Sequence, residues 1–276
     1  MPTRSRLWIG LAGVAAAGLT LLVTVGCTRD DRSLDEIWAD LELEGDGRVF
    51  TSELVEGLPE PARRFFAWSI APGTPLARSV SLGMEGEIFL APDRDPLPIQ
   101  ADQILAPPHG FIWRAQAGDG FMRINGFDRY AAGEGEMRWK LWGLIPVMRS
   151  TGEDVTRSAA GRLAMEAVLL PSALLTQEGV EWEDAGEDRA RFIIRVGQET
   201  VEATLEVDPE GRPVRVSAQR WSEEAGPGYD EFAVEMTGSF TSGGYTIPSA
   251  IEAGWRLGSD DEFRFFRAAL DRAEFR

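Results

Sequence analysis

Histidine and cysteine, which often carry acid–base, nucleophilic or metal chemistry, each occur once in this sequence. His109 lies in a Pro-Pro-His-Gly segment, which predicts a turn before a strand and not a catalytic base. One histidine cannot form an HExxH pair or a multi-histidine metal site. No GxSxG or Walker A motif occurs either. We therefore expect a non-enzymatic protein with no catalytic residue, no metal site and no cofactor.

Carboxylates are abundant, with 45 Asp and Glu residues, so a pair of them is weak evidence for acid–base catalysis. Glu166 is the one we weigh, because it falls in a helix expected to face a sheet. It could be a buried acid with a perturbed pKa. We favour instead an i, i+4 ion pair with Arg162 on the solvent-facing flank of that helix. A carboxylate-dependent hydrolase is accordingly the least favoured of three functions.

The formal net charge of the chain is −17. Nucleic-acid phosphates would be repelled by such a protein, so we expect no nucleic-acid partner. A single cysteine also excludes an intramolecular disulfide. The stability of the fold must then come from its core, for which nine Trp and 14 Phe supply ample apolar surface.

The N-terminus has the pattern of an export signal. Arg4 and Arg6 precede a mostly apolar run over residues 7–26, which ends at Cys27. The sequence LVTVGC over residues 22–27 resembles the lipobox of bacterial lipoproteins. This resemblance implies cleavage after Gly26, lipidation of Cys27, and a membrane-anchored, extracytoplasmic location in the cell envelope. An uncleaved membrane anchor is the alternative, because the run is nearly long enough to span a bilayer.

Three segments follow from the patterning: a signal peptide over residues 1–26, an acidic tether with a short helix over 27–58, and one β-rich domain over 59–276. A second helix is predicted over 62–70. From residue 79 onward, about ten runs alternate apolar and polar side chains with short turns between them, which is typical of antiparallel strands. We predict a mainly β (α+β) fold, a large curved antiparallel sheet or incomplete β-barrel. One central helix would pack on its concave face, with further helices at the N-terminus.

The sequence is organised around residues 134–175, where a strand pattern gives way to a helix pattern. Met137, Trp139 and Leu141 alternate with charged residues. After Gly143 the period changes, and apolar residues fall on one helical stripe. The stripe consists of Val155, Ala159, Ala160, Leu163, Ala167 and Leu170.

Apolar side chains near this transition are candidates for lining a ligand cavity between the sheet and the helix, because aromatic and Met-rich turns can rim a binding site. The candidates are Phe111, Trp113, Met137, Trp139, Leu141, Trp142, Met148, Leu163 and Ala167. Alternatively, the same side chains simply complete a filled core.

Several motifs give the chain a family resemblance. They are GFDRY (126–130), GEGEM (133–137), SAAGRL (158–163), LLPSALL (169–175) and GGYTIPS (243–249). Over residues 59–275 the chain resembles a bacterial family of exported proteins known only as a domain of unknown function. This resemblance implies a shared fold unit and no established activity. More loosely, the pattern resembles the half-barrel of periplasmic lipoprotein carriers and their receptor, which hold acyl chains between a curved sheet and helices.

We therefore predict a lipid-anchored envelope protein that binds an apolar ligand, a lipid or acyl chain, between sheet and helix. The alternative is a structural or protein-interaction lipoprotein with a filled core. The expected partners are the membrane, through Cys27, and the apolar ligand.

Overall fold

The computed structural model describes residues 32–92, 94–222 and 227–276, except for the side chain of Gln177. The predicted signal peptide and Cys27 lie outside the described residues. Cleavage and lipidation therefore stay predictions. Within the described ranges, none of the helices has both the length and the apolarity needed to cross a bilayer.

Short helices precede a long series of strands, and one longer helix interrupts that series. The α-helices are α1 (Leu34–Leu41), α2 (Glu60–Ser69) and α3 (Glu153–Glu166). The strands before α3 are β1 (Val80–Ile88), β2 (Leu97–Ala106), β3 (Gly110–Ala117), β4 (Ile124–Ala131), β5 (Glu134–Leu141) and β6 (Ile145–Thr151). Those after it are β7 (Glu181–Gly186), β8 (Arg189–Val196), β9 (Glu199–Val207), β10 (Pro213–Ser222), β11 (Gly228–Thr237), β12 (Phe240–Ser242), β13 (Tyr245–Ile247), β14 (Ala250–Trp255) and β15 (Phe263–Phe275). Short 3-10 helices occur at Ser52–Val55, Gly120–Met122, Ala167–Leu169, Pro171–Leu174 and Thr176–Glu178.

Over these described ranges, thirteen strands form one antiparallel sheet in the order β6-β5-β4-β3-β2-β1-β15-β14-β11-β10-β9-β8-β7. The sheet stays open, with β6 and β7 at its edges, while β12 and β13 form a separate hairpin. About ten strands were predicted, and the predictions missed β6 and β7. In β7 only Trp182 is even partly buried, so the strand shows no alternation in the sequence.

The sheet curls around α3, which contacts β4, β5 and β6 on one side and β8, β9 and β10 on the other. Small residues permit this close approach. A Cβ added at Gly135 of β5 would lie 2.7 Å from the carbonyl oxygen of Val155. The structure thus confirms the predicted fold, an incomplete barrel with one central helix on its concave face.

Helix α1 lies on the convex face of the sheet. Ser33 and Glu36 cap its start reciprocally, each side chain accepting a hydrogen bond from the other's backbone N–H. Its apolar side packs Ile37 and Leu41 in a second core cluster with Ile112 of β3 and with residues of β2 and β4. Residues assigned in the sequence to the tether are thus in contact with the sheet.

Candidate apolar-ligand site

The part of the concave face directly beneath α3 is filled. Phe111 of β3, Leu163 of α3 and Ala167 just after it have no solvent exposure and belong to the main core. Interiors packed this closely leave no room for a ligand. We call this region the closed part of the concave face.

A polar cluster borders the closed part, where α3 crosses β2, β4 and β5. Arg162 of α3 pairs with Asp128 of β4 at 3.2 Å and with Glu166 at 2.7 Å. Trp139 Nε1 donates a hydrogen bond to Asp128 at 3.1 Å, and Gln103 Nε2 donates one to Glu166 at 2.5 Å. The predicted Arg162–Glu166 pair therefore forms. It lies on the sheet-facing side of α3, however, because Asp128 supplies a second partner there.

Electrostatics in this cluster depend on one guanidinium that two carboxylates share. Burial raises the pKa of the Asp128 carboxyl above its ordinary value, against the opposing effects of Arg162 and the Trp139 hydrogen bond. Glu166, a nearby negative charge, raises it further. Burial alone would lower the pKa of Arg162, but the two carboxylates more than offset it and raise that pKa. The cluster thus carries a carboxylate that ionises less readily than usual.

Three of the sequence motifs meet at this cluster. Asp128 comes from GFDRY, Arg162 from SAAGRL, and the GEGEM segment passes beneath the start of α3, where the Gly135 N–H donates to Thr156 Oγ1 at 2.9 Å. Gly126 of GFDRY leaves room for the indole of Trp139, since a Cβ there would lie 2.4 Å from the ring. These motifs therefore specify how α3 is seated on the sheet.

Beyond the cluster, toward the ends of β1, β3 and β5, the concave face is apolar and only partly covered. The ring centroid of Trp113 lies 5.7 Å from that of Trp139, with the two rings tilted, and 5.9 Å from that of Phe266, in an edge-to-face contact. Directly paired residues project to the same face of a sheet, so the register extends this surface outward. We call it the trough, and its partly exposed members are Ile88, Ile124, Leu141, Met148 and Phe266.

The floor of the trough includes an unusual donor. The indole N–H of Trp113 is buried and has no hydrogen-bond partner among the described residues. A buried donor left unpaired costs roughly 1–3 kcal/mol. The unpaired Trp113 N–H thus lies beneath the part of the concave face that α3 does not fully cover.

The trough ends at two adjacent loops with exposed apolar side chains, which we call the tip. The tip consists of Phe121, Met122, Trp142, Leu144 and Ile145. The indole Nε1 of Trp142 donates a hydrogen bond to the backbone oxygen of Phe121 at 3.1 Å, and the backbone N–H of Trp142 donates one to the backbone oxygen of Arg123 at 2.9 Å. These bonds fasten the β5–β6 turn to the β3–β4 connection.

The structure divides the predicted lining residues into three groups and does not gather them around one cavity. Phe111, Leu163 and Ala167 belong to the closed part. Trp113, Trp139, Leu141 and Met148 lie in the trough, with Met137 half-buried on the same face. Trp142 belongs to the tip.

Sequence reasoning missed Ile124, Phe266 and Asp128. For Asp128 a signal existed, because it shares the inward alternation of Ile124, Gly126 and Tyr130 in β4. No group of three His, Cys, Asp or Glu side chains within the described ranges could hold a metal ion.

Residues 48–268 match the Family of unknown function (DUF6544). The chain belongs to this family. The match covers every motif quoted above and confirms the predicted membership in a family without an established activity. No curated protein matches the chain.

Two solved structures are similar in outline. A LolA superfamily protein from Nitrosomonas europaea is 10% identical, with a TM-score of 0.46 over 78% of this chain and 92% of that chain. A domain described as an outer membrane lipoprotein-sorting protein, from Vibrio parahaemolyticus, is 9% identical, with a TM-score of 0.41 over 82% and 92%.

Proposed function

We propose that this DUF6544 protein is a lipid-anchored cell-envelope protein that binds an apolar ligand, a lipid or acyl chain, in the trough. Its role is binding and not catalysis. The observation that carries the proposal is the row of partly exposed apolar side chains on the concave face beside the buried Trp139, from Met148 through Leu141 to Ile124.

A linear hydrocarbon fits this surface better than a compact polar ligand does. The trough follows paired residues across β3, β4, β5 and β6 and opens at the tip. Each methylene group removed from water contributes about 0.8 kcal/mol, so a chain of several methylenes can offset the entropy lost on association.

Anchoring and extracytoplasmic location rest on the N-terminal sequence. Arg4 and Arg6, the apolar run and Cys27 have the order of an export signal that ends in a lipidated cysteine. A covalent lipid would hold the domain near a source of apolar ligands.

The test is to recover the ligand. Residues 28–276, exported through a cleavable signal, are purified without detergent and measured by native mass spectrometry, and organic extracts are analysed for lipid. We expect bound mass that the extraction assigns to an acyl lipid. An unliganded mass with no extractable lipid, in protein that also fails to take up added fatty acid, contradicts the proposal.

Two neighbouring residues of β4 supply matched variants. Ile124 pairs with Ala117 and Leu141 in the trough, whereas Asn125 pairs with Gln116 and Lys140 on the convex face. Ile124→Glu places a charge in the trough and should abolish co-purification of lipid. Asn125→Glu adds the same charge one residue away on the other face and should leave co-purification unchanged.

The alternative function, a structural or interaction lipoprotein, is favoured by the closed part alone, where Phe111 and Leu163 leave no gap. Under that alternative, crosslinking in cells recovers a protein partner and both β4 variants behave like the wild type in the lipid assay.

A further inference from the structure

The tip concentrates the exposed apolar surface of the protein. Among the described residues, seven large hydrophobic side chains are exposed, and apart from Val49 and Tyr229 they all belong to the tip. Phe121 is 86% exposed and Leu144 is 78% exposed. Exposed apolar side chains clustered in this way mark a surface that contacts a membrane, a ligand or another protein.

The backbone holds these side chains outward. Trp142 and Gly143 have φ values of 54° and 72°, and the Leu144 N–H donates to the Leu141 oxygen, which defines a tight hairpin turn of type I′. Asn, Asp or Gly normally occupies the first central position of this turn, and a bulky residue there is strained. The turn thus keeps an exposed tryptophan at a position that a more stable sequence would give to a small polar residue.

The charge around the tip is opposite to that of the whole protein. Residues 137–149 contain Arg138, Lys140 and Arg149 and no acidic residue, with Arg138 and Arg149 paired to Glu136. Residues 120–127 contain Arg123 and no acidic residue, and Asp119 directly precedes them. The chain as a whole carries −17. Arg123 and Lys140 have no ion-pair partner within the described part of the chain. We call Arg123 and Lys140 the basic collar. Basic side chains beside exposed apolar ones are complementary to a membrane surface, where negative head groups cover the hydrocarbon.

The N-terminal chain can reach the same surface. Asp35 in the first turn of α1 contacts Arg114, and Leu41 at its end packs beside Gly110. Helix α1 therefore runs antiparallel to β3, and its start faces the end of the sheet that carries the tip. From Arg114 to the end of β3 is only about 10 Å along the strand. The seven residue steps from Cys27 to Leu34 span up to about 25 Å.

We propose that the tip inserts into the interface of a membrane that contains anionic phospholipid, and that this is the membrane to which the N-terminus is attached. Trp142 would lie at the head-group level, where amphipathic rings concentrate, and Phe121 would enter the boundary of the acyl chains. The basic collar would contact lipid phosphates. The mouth of the trough then faces the bilayer. This inference rests on the proposed function only in that the lipid anchor brings the tip within reach of the membrane. It does not require a ligand in the trough.

The experiment uses the full chain reconstituted in vesicles, with an environment-sensitive fluorophore on an introduced cysteine. Leu144→Cys reports on the tip. Glu187→Cys, in the exposed β7–β8 turn beside α2, is the matched control. The unsubstituted chain reports any labelling of Cys27. Phosphatidylglycerol–phosphatidylethanolamine vesicles are compared with phosphatidylcholine vesicles, each with brominated acyl chains as quenchers.

In the anionic vesicles we expect the Leu144 label to shift to the blue and to be quenched roughly threefold more than the Glu187 label. High salt, or Arg123→Glu combined with Lys140→Glu, should reduce this quenching. A Leu144 label that stays in water overturns the proposal. Equal quenching in both vesicle types also overturns it, as does a blue shift that depends on protein concentration without vesicles, which would assign the tip to a second copy of the chain. Fatty-acid binding in the trough is measured separately, on the same variants without vesicles. A failure of docking is therefore distinguishable from a failure of the proposed function.

Discussion

The closed part and the trough are made from the same strands and follow the same alternation, yet only one of them is covered. Strand β3 places Phe111 beneath α3 and Trp113 at the start of the trough, and β5 continues from Trp139 to the half-exposed Leu141. The difference arises because α3 covers only part of the strands' length. Alternation determines which face a side chain joins, whereas the packing of α3 determines whether that face is core or binding surface.

The largest difference between the two regions should appear in stability. Leu163→Ala leaves a cavity in the closed part and should lower the free energy of unfolding by about 2–5 kcal/mol. Chemical denaturation monitored by tryptophan fluorescence measures this value. Leu144→Ala, at the exposed tip, should stay within about 0.5 kcal/mol of the wild type. Similar losses for the two variants would mean that the closed part is not tightly packed.

The polar cluster between the two regions should show up in the pH dependence of stability. Because the pKa of Asp128 is raised in the folded state, the native protein binds more protons than the unfolded chain as pH rises above the ordinary value of 3.8. Asp128 therefore lowers the free energy of unfolding as pH rises through its folded pKa. Asp128→Asn keeps an acceptor for Trp139 and removes the titration.

Unfolding curves of the wild type and Asp128→Asn across this pH range provide the measurement. The stability of the variant relative to the wild type should increase with pH. A constant difference, or one that decreases, would contradict the raised pKa.

The smallest expected change concerns the tip. Trp142→Asn replaces a strained residue by one that tolerates positive φ but removes the indole hydrogen bond to Phe121, so its free energy of unfolding should stay within about 1 kcal/mol of the wild type. In residues 28–276, which lack the anchor, the same substitution should weaken vesicle binding measured by flotation. If the variant is more stable than the wild type and binds vesicles more weakly, the native Trp142 contributes to membrane binding at a cost in stability. Unchanged flotation would count against the tip as a membrane contact.

Much of the architecture could be predicted because it depends on local pattern. Alternation in β8, β9 and β14 and the helical stripe of α3 are properties of neighbouring residues, and they gave the curved antiparallel sheet with its central helix. Strands β6 and β7 escaped prediction because an edge strand has few buried positions, and exposed residues follow no alternation.

The site was predicted less completely, since it depends on contacts between distant segments. The sequence indicated Trp139 and Met148 but grouped them with Leu163, because alternation cannot show where α3 ends relative to the strands. Phe266 joins Trp113 only through the pairing of β1 with β15, which are separated by most of the chain. Asp128 and Arg162 are 34 residues apart in the sequence, and they form a pair only because α3 packs against β4.

The central claim, that the trough is open for an apolar chain, is tested most directly by titrating residues 28–276 with cis-parinaric acid, a fluorescent fatty acid. We predict that Ile124→Glu weakens binding roughly tenfold or more, because a carboxylate would be buried against the chain. Asn125→Glu should bind like the wild type. Equal affinities for the two variants, with both folded as judged by their denaturation midpoints, would contradict the claim.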